Sequence, residues 1–398
     1  MIKQLLILVI TFLCMFGVST SIAAQTKPRA RDLGVPFDGT PGQLNAITDV
    51  KGVEVGYSTI ISGAGKLNVG VGPVRTGVTA IIPRSKDSAF IPVFAGWYSQ
   101  NGNGEMTGTT WIEEGGFLEG PVMITNTHSV GVVRDAVIAW RVKQGKPDAT
   151  GYWWSLPVVA ETYDGALNDV NGFHVKPAHV FAALESAKSG ALAEGNVGGG
   201  TGMICYGFKG GTGTASRKVA DSAGGYTVGV LVQANHGGKR QLIIAGVPVG
   251  RELAENQKVS SLPWRENVDV GSIIIVVATD APLLPHQLKR LARRATMGLA
   301  RTGATSGNGS GDIFIAFSTA NPKAAKEDGI AQLQMLPNER MNALFEATVQ
   351  ATEEAIVNTL VAAETMTGIN DTKITALPHD QLRKVLEKYG RLIGTEKK

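Results

Sequence analysis

Apolar and polar positions follow two periods along this chain. Short, β-branched, apolar runs bounded by glycine, proline or polar turns occur at residues 53–57, 79–82, 122–125, 226–233, 241–247, 273–278 and 313–317, and predict strands. Between them the spacing changes to the helical one. Val133, Val137 and Trp140 share a face within 132–142. Pro177 opens a second helix carrying Val180, Phe181 and Leu184, and Pro285 a third with Leu288, Leu291, Ala292, Ala295 and Leu299. A long helix after Pro337 carries Phe345, Val349, Ile356 and Leu360 on one stripe. Helices interleaved with strands, with no internal repeat, predict an α/β layered fold. Residues 251–269 are polar and charged, with Glu255, Lys258, Arg265 and Glu266, and read as an exposed, cleavable loop.

The amino-terminal pattern is different. Met-Ile-Lys precedes an apolar stretch from Leu5 to Val18 and a small-residue end with Ser21 and Ala23. That order is a secretory signal peptide, residues 1–24, cut after Ala23 or Ala24. The apolar run is short for a membrane anchor. The expected location is periplasmic or secreted, with no membrane attachment after signal removal. Beyond the signal only Cys205 remains, so no intramolecular disulfide can form and stability rests on a core. The formal charge of +4 is scattered. Lys289, Arg290, Arg293 and Arg294 cluster on one predicted helix, as a solvated face rather than a nucleic-acid patch. Glycine is in excess, at 50 residues against 17 prolines, and falls in blocks between strands, as tight turns and close backbone approach to a ligand require.

Several chemistries fail on spacing. None of the six histidines forms a His-Glu-x-x-His pair or joins a cysteine at zinc spacing, so no metal is expected. The run Gly195-Asn-Val-Gly-Gly-Gly-Thr-Gly lacks the Gly-Lys-Ser/Thr ending of a phosphate loop, and Cys205 stands where a dinucleotide fingerprint needs glycine. No nucleotide cofactor is expected, and these glycines are read as shaping a pocket or an oligomer contact through exposed N–H groups. No Gly-x-Ser-x-Gly elbow occurs, because Asn308 precedes Gly309-Ser310-Gly311. Gly271-Ser272 stands at the head of the 273–278 run and reads either as a plain turn before a core strand or as an autoprocessing site. A glycine permits a bent peptide before the serine, and the hydroxyl can attack the Gly271 carbonyl. Cleavage would leave Ser272 as a new terminus with nucleophile and amine on one residue. An α-amine, with an intrinsic pKa of about 7.7–8.0, can serve as its own base.

The segments Ser272-Ile-Ile-Ile-Val-Val-Ala-Thr-Asp-Ala-Pro-Leu-Leu-Pro-His-Gln and Gly307-Asn-Gly-Ser-Gly-Asp-Ile-Phe resemble the autoprocessed serine aminopeptidases. Those include the L-aminopeptidase/D-amidase/D-esterases and the β-peptidyl aminopeptidases. Pro28-Arg-Ala-Arg-Asp-Leu-Gly-Val-Pro-Phe, Ile124-Thr-Asn-Thr-His-Ser-Val-Gly, Val159-Ala-Glu-Thr-Tyr-Asp-Gly and Gly195-Asn-Val-Gly-Gly-Gly-Thr-Gly-Met extend the resemblance over nearly the whole mature chain. The upstream blocks and the export signal lean toward the β-peptidyl branch.

The resemblance implies an αββα sandwich like that of N-terminal nucleophile hydrolases, with different connectivity. It implies autocleavage between Gly271 and Ser272 into an α chain, 25–271, and a β chain, 272–398, of one domain. It also implies αβ heterodimers assembled into a tetramer or larger oligomer. Ser272 would be the nucleophile. Ser310 would hydrogen-bond its amine, Asp312 orient the group, and Asn235 supply the oxyanion donor. Tyr163 and Glu161 would line the pocket, Glu161 against the substrate's free amine. The substrate would be a short peptide or amide, without cofactor or nucleic-acid partner. The alternatives are an aminopeptidase/amidase/esterase with no preference for β-residues, and a non-catalytic periplasmic ligand-binding protein.

Overall fold

The computed structural model describes residues 27–144, 154–255, 270–325 and 328–394. The expected signal segment with both cut positions, and the 256–269 part of the expected loop, lie outside them. The strands are β1 (Glu54–Ser62), β2 (Val74–Ile82), β3 (Val93–Gly102), β4 (Phe117–Leu118), β5 (Val122–Asn126), β6 (Val158–Thr162), β7 (Ile204–Cys205), β8 (Phe208–Lys209), β9 (Gly211–Lys218), β10 (Thr227–Asn235), β11 (Val270–Thr279), β12 (Gly309–Ser318), β13 (Met366–Thr367) and β14 (Lys373–Ile374). The helices are α1 (Thr109–Gly115), α2 (Val130–Gln144), α3 (Pro177–Ser186), α4 (Val249–Glu255), α5 (Pro285–Arg301), α6 (Asn342–Ala362) and α7 (His379–Lys388).

Two sheets carry the architecture. One has the order β1-β2-β5-β6, the other β4-β3-β12-β11-β10-β9. Val55, Ile81, Ile124 and Ala160 of the first face Leu231, Ile274, Val276, Ile313 and Ile315 of the second. Helices α2 and α3 cover the outer face of the four-stranded sheet, with Val133, Val137, Val180 and Leu184 against Val78, Ala80 and Met123. Helices α5 and α6 cover the other outer face, with Leu288, Leu291, Ile356 and Leu360 among Val230, Val232, Ile273, Ile275 and Phe314. This is the expected αββα sandwich. Strand β11 reads as an unbroken apolar run because both its faces are covered.

Most predicted elements are present, with boundaries moved by a few residues. The stretch 241–247 differs: Lys239–Gln241 is a 3-10 turn, and only an Ile244–Val247 bridge follows. Ala245 and Gly246 between them take positive φ, which turns the chain back before a ladder can form. Residues 251–255, expected in an exposed loop, belong to α4, which buries Leu253. Helix α6 is buried nearly all round, not on one stripe, since β9, β10 and α5 surround it. The cluster on α5 is partly packed: Arg290 and Arg294 lie over the Phe345 ring and Arg293 over Tyr98.

The glycine blocks also serve differently from expectation. Gly198–Gly202 is a fully buried 3-10 turn. The N–H groups of Gly198 and Gly199 donate to Thr59 Oγ1 and Thr79 Oγ1, and that of Gly200 to the Val197 carbonyl, so these amides are committed inside the protein. Strand glycines admit helix backbone. A Cβ on Gly213 would stand 2.2 Å from the Ala355 carbonyl of α6, and one on Gly56 2.1 Å from the Ala183 carbonyl of α3.

One buried carboxylate ties the amino-terminal segment to this frame. Glu354 of α6 accepts both Arg31 Nε and Nη2 at 2.7 and 2.8 Å, Arg217 Nη2 of β9 at 2.7 Å and Asn45 Nδ2 at 2.6 Å. Burial raises its pKa, but the Arg31 hydrogen bonds and the Arg217 charge outweigh that and hold it below the ordinary carboxylate value. A carboxyl with a depressed folded pKa adds stability at pH above its unfolded value, and loses it as pH falls through the folded one. Glu354→Gln leaves the fully buried Arg217 without its counter-ion and should cost about 3–5 kcal/mol in urea unfolding at pH 7. The difference from wild type should shrink as the pH is lowered below the carboxylate range; an equal deficit at all pH values would contradict this account.

Candidate active site

The head of β11 lies between two neighbours in strict register. Ser272 pairs with Asn235 on antiparallel β10 and with Gly311 on parallel β12. Opposed residues on neighbouring strands present side chains to the same face. Alternation along β11 places Ser272 with Ile274 and Val276, on the face between the two sheets. Ser272 is 5 % exposed, and its hydroxyl accepts the Gly311 N–H at 3.2 Å. Gly271 has φ +117°, and a Cβ there would stand 1.8 Å from the Asn235 carbonyl oxygen. Only glycine fits this bend.

Asn235 is fully buried and held at both ends of its amide. Oδ1 accepts the Ile204 N–H at 2.8 Å, and Nδ2 donates to the Tyr163 carbonyl at 2.8 Å. These contacts fix which way the amide points and leave the second Nδ2 hydrogen uncommitted among the described residues. Tyr163 therefore enters the site through its main chain. Its phenol lies over Gly165 and is 44 % exposed.

Glu161 is the penultimate residue of β6 and is buried. Oε1 accepts the Glu105 N–H at 3.1 Å, and Oε2 accepts the Thr127 hydroxyl. Burial pushes its pKa above the ordinary value, against the lowering effect of those two hydrogen bonds. Gly104 is wedged between this acid and β12: a Cβ on it would stand 3.2 Å from Glu161 Oε1 and 3.2 Å from Gly311 Cα. The acid and the backbone that touches Ser272 are thus one glycine apart.

Ser310 and Asp312 are buried on the other face of β12, and Ser310 Oγ donates to Asp312 Oδ1 at 2.6 Å. Ser310 is the register partner of Gly271, so it flanks the peptide whose cleavage would free the Ser272 amine. Asn235 is the register partner of Ser272, Ser310 with Asp312 flanks Gly271 from the other face, Glu161 lies across Gly104, and the Tyr163 ring points away over Gly165. Three contributors had no assigned role: the Gly311 N–H, the Thr127 hydroxyl and the Ile204 N–H. Thr127 and Gly311 stand within quoted motifs, but nothing in a linear motif shows that they donate. Among the described residues no cluster of His, Cys, Asp and Glu could hold a metal ion, and no helix is long and apolar enough to cross a membrane.

The arrangement offers a buried hydroxyl, an oriented amide on the neighbouring strand, and a buried acid one glycine away from the backbone that contacts the hydroxyl. Comparison with known proteins agrees with this chemistry. The profile of peptidase family S58 matches residues 45–374. The chain is 58 % identical to the β-peptidyl aminopeptidase of Sphingosinicella microcystinivorans over 383 residues, covering 94 % of this chain and 96 % of that one. It is 52 % identical to the β-peptidyl aminopeptidase of Sphingosinicella xenopeptidilytica, covering 92 % and 94 %. Among solved structures, the L-aminopeptidase D-Ala-esterase/amidase of Ochrobactrum anthropi, described as a variant of the Ntn hydrolase fold, matches with a TM-score of 0.84 at 52 % identity over 92 % of this chain and all of that one. A β-aminopeptidase from Burkholderia sp. matches with a TM-score of 0.82 at 47 % identity over 91 % and 99 %. The chain belongs to peptidase family S58 and is a hydrolase of the peptidase class.

Proposed function

We propose that this protein is exported, loses residues 1–24, and cleaves itself between Gly271 and Ser272 to give an aminopeptidase that releases amino-terminal residues, β-amino acids above all, from short peptides and amides. The observation that carries the reading is the bent Gly271 peptide at the head of β11, with Ser272 set between Asn235 and Gly311. In maturation the Ser272 hydroxyl attacks the Gly271 carbonyl, the peptide becomes an ester, and water cleaves it. The products are chains 25–271 and 272–398 of a single domain, held together by the β10–β11 and β3–β12 pairings. By resemblance these αβ units assemble into a tetramer or larger oligomer in the periplasm or outside the cell.

In turnover, the freed α-amine takes the proton from Ser272 Oγ as it attacks the first carbonyl of the substrate. The uncommitted Nδ2 hydrogen of Asn235 meets the oxyanion, Ser310 accepts or donates at the amine, and Asp312 holds Ser310 in place. The leaving amine departs with the proton, and water then releases the acyl group. Glu161 receives the substrate's ammonium. The preference for β-residues follows the two Sphingosinicella relatives. The Ochrobactrum relative supports the second reading, an aminopeptidase without that preference. Turnover of β-alanyl and L-alanyl p-nitroanilides separates the two.

Purified protein should run as two chains, the smaller about 13 kDa and beginning Ser-Ile-Ile-Ile-Val by Edman sequencing. Ser272→Ala should remain whole and inactive; an active intact chain would remove Ser272 as nucleophile.

Glu161→Gln should lower kcat/KM for free-amine substrates by roughly ten- to a hundred-fold and leave the slow turnover of N-acetylated ones nearly unchanged. Because burial raises the Glu161 pKa, wild-type kcat/KM should fall on the acid side at a pH above the usual glutamate range, and the variant should lack that limb. Equal losses on free and blocked substrates would place Glu161 elsewhere in the machinery.

A further inference from the structure

Lys209 is a fully buried cation that no step above uses. It is fully buried in β8, and its Nζ donates to the carbonyls of Met203 at 2.9 Å, Gly210 at 2.9 Å and, more loosely, Gly200 at 3.5 Å. Among the described residues it has no carboxylate within ion-pair distance. Burial, with a smaller contribution from the Lys27 charge, pushes its ammonium down to about 7. An isolated buried ammonium is costly, and an apolar side chain of similar length would fill the same space.

Its position explains the cost. Strands β7 and β8 form a tight hairpin through Tyr206 and Gly207, both at positive φ. Tyr206 N–H donates to the His236 carbonyl, so the hairpin is stitched to the end of β10 next to Asn235. The Met203–Ile204 peptide then links two groups. Its carbonyl accepts Lys209 Nζ and the Gly210 N–H, while its N–H donates to Asn235 Oδ1. The Lys209 Nζ hydrogen bond on the carbonyl end polarises the peptide and strengthens its N–H as a donor. That N–H in turn draws electron density toward Oδ1 and makes the Nδ2 hydrogens better donors. The run Lys209 Nζ, Met203–Ile204 peptide, Asn235 amide is a hydrogen-bond relay whose free end is the second Nδ2 hydrogen.

We infer that Lys209 is a positioning residue of the oxyanion site, acting on Asn235 through the Met203–Ile204 peptide. The inference rests on the reading of Asn235 as the oxyanion donor. Because Lys209 is separated from the reacting atoms by a peptide and a side chain, it should affect the transition state and leave substrate binding alone.

A double-mutant cycle tests this on the full-length protein, with kcat counted per processed chain read from a gel. Asn235→Ala should lower kcat by about a hundred-fold or more. Lys209→Met should lower kcat on β-alanyl p-nitroanilide by about ten-fold with KM within about two-fold, and the double variant should be no slower than Asn235→Ala alone. Multiplying losses, or a KM that rises as much as kcat falls, would show that Lys209 does not act through Asn235. An Asn235→Ala enzyme with near wild-type kcat would instead remove Asn235 as the donor, and with it the target of the relay. If Lys209→Met does not accumulate as folded, processed enzyme, Lys209→Gln, which is shorter and keeps an N–H donor, takes its place under the same expectations. Failure of both to give processed enzyme would make Lys209 a structural tether of the hairpin and overturn the proposal.

Discussion

The backbone ladder across β10, β11 and β12 is the constraint on which the site depends. Hydrogen-bonded backbone register, rather than side-chain contact, places Asn235, Ser272 and Gly311 side by side. A shift of one residue in either pairing would turn Ser272 to the opposite face. Such a slip is resisted because β11 is apolar on both faces: Ile273, Ile275 and Val277 are committed to α5 and α6, and Ile274 and Val276 to the inter-sheet core. The hydrophobic pattern that folds the strand therefore also aims the hydroxyl.

Close approach is the second theme. Gly104, Gly271 and Gly311 occupy positions where a Cβ would meet backbone or the Glu161 carboxylate. Their absence of side chains lets the 103–108 segment, β6, β10 and β12 meet at one point. Packing this dense excludes water, which makes each fixed dipole there count for more. It also makes any unpaired polar group expensive, and the site's polar groups are accordingly held: Glu161 by two donors, Asn235 at both ends, Ser310 by Asp312.

Buried charge is used in two distinct ways. Glu354 is surrounded by Arg31, Arg217 and Asn45, and fastens the amino-terminal segment to α6 and β9. Among the described residues Glu161 and Lys209 form no salt bridge, and they are held by neutral donors or carbonyls. A charge held by neutral dipoles keeps its field for other groups, whereas one held by a counter-ion largely cancels it.

By itself the sequence determined the strands and helices whose apolar period is unbroken, the layered class, and the Gly271-Ser272 pair at the head of a buried strand. Those are local properties: burial on two faces writes a continuous apolar run, and a strained turn writes glycine. Motif resemblance added Asn235, Glu161, Tyr163, Ser310 and Asp312, but not their geometry. Only the tertiary structure decided that Tyr163 contributes its carbonyl, that Ser310 flanks Gly271 from the far face of β12, and that the 198–202 glycines are buried with their amides spent. It also decided that 241–247 turns rather than extends, through positive φ at Ala245 and Gly246. The reason is common to all of these. Main-chain donors and acceptors carry no residue identity, so a contact such as Ile204 N–H to Asn235, or Lys209 to the Met203 carbonyl, leaves no mark on the sequence until distant strands pair.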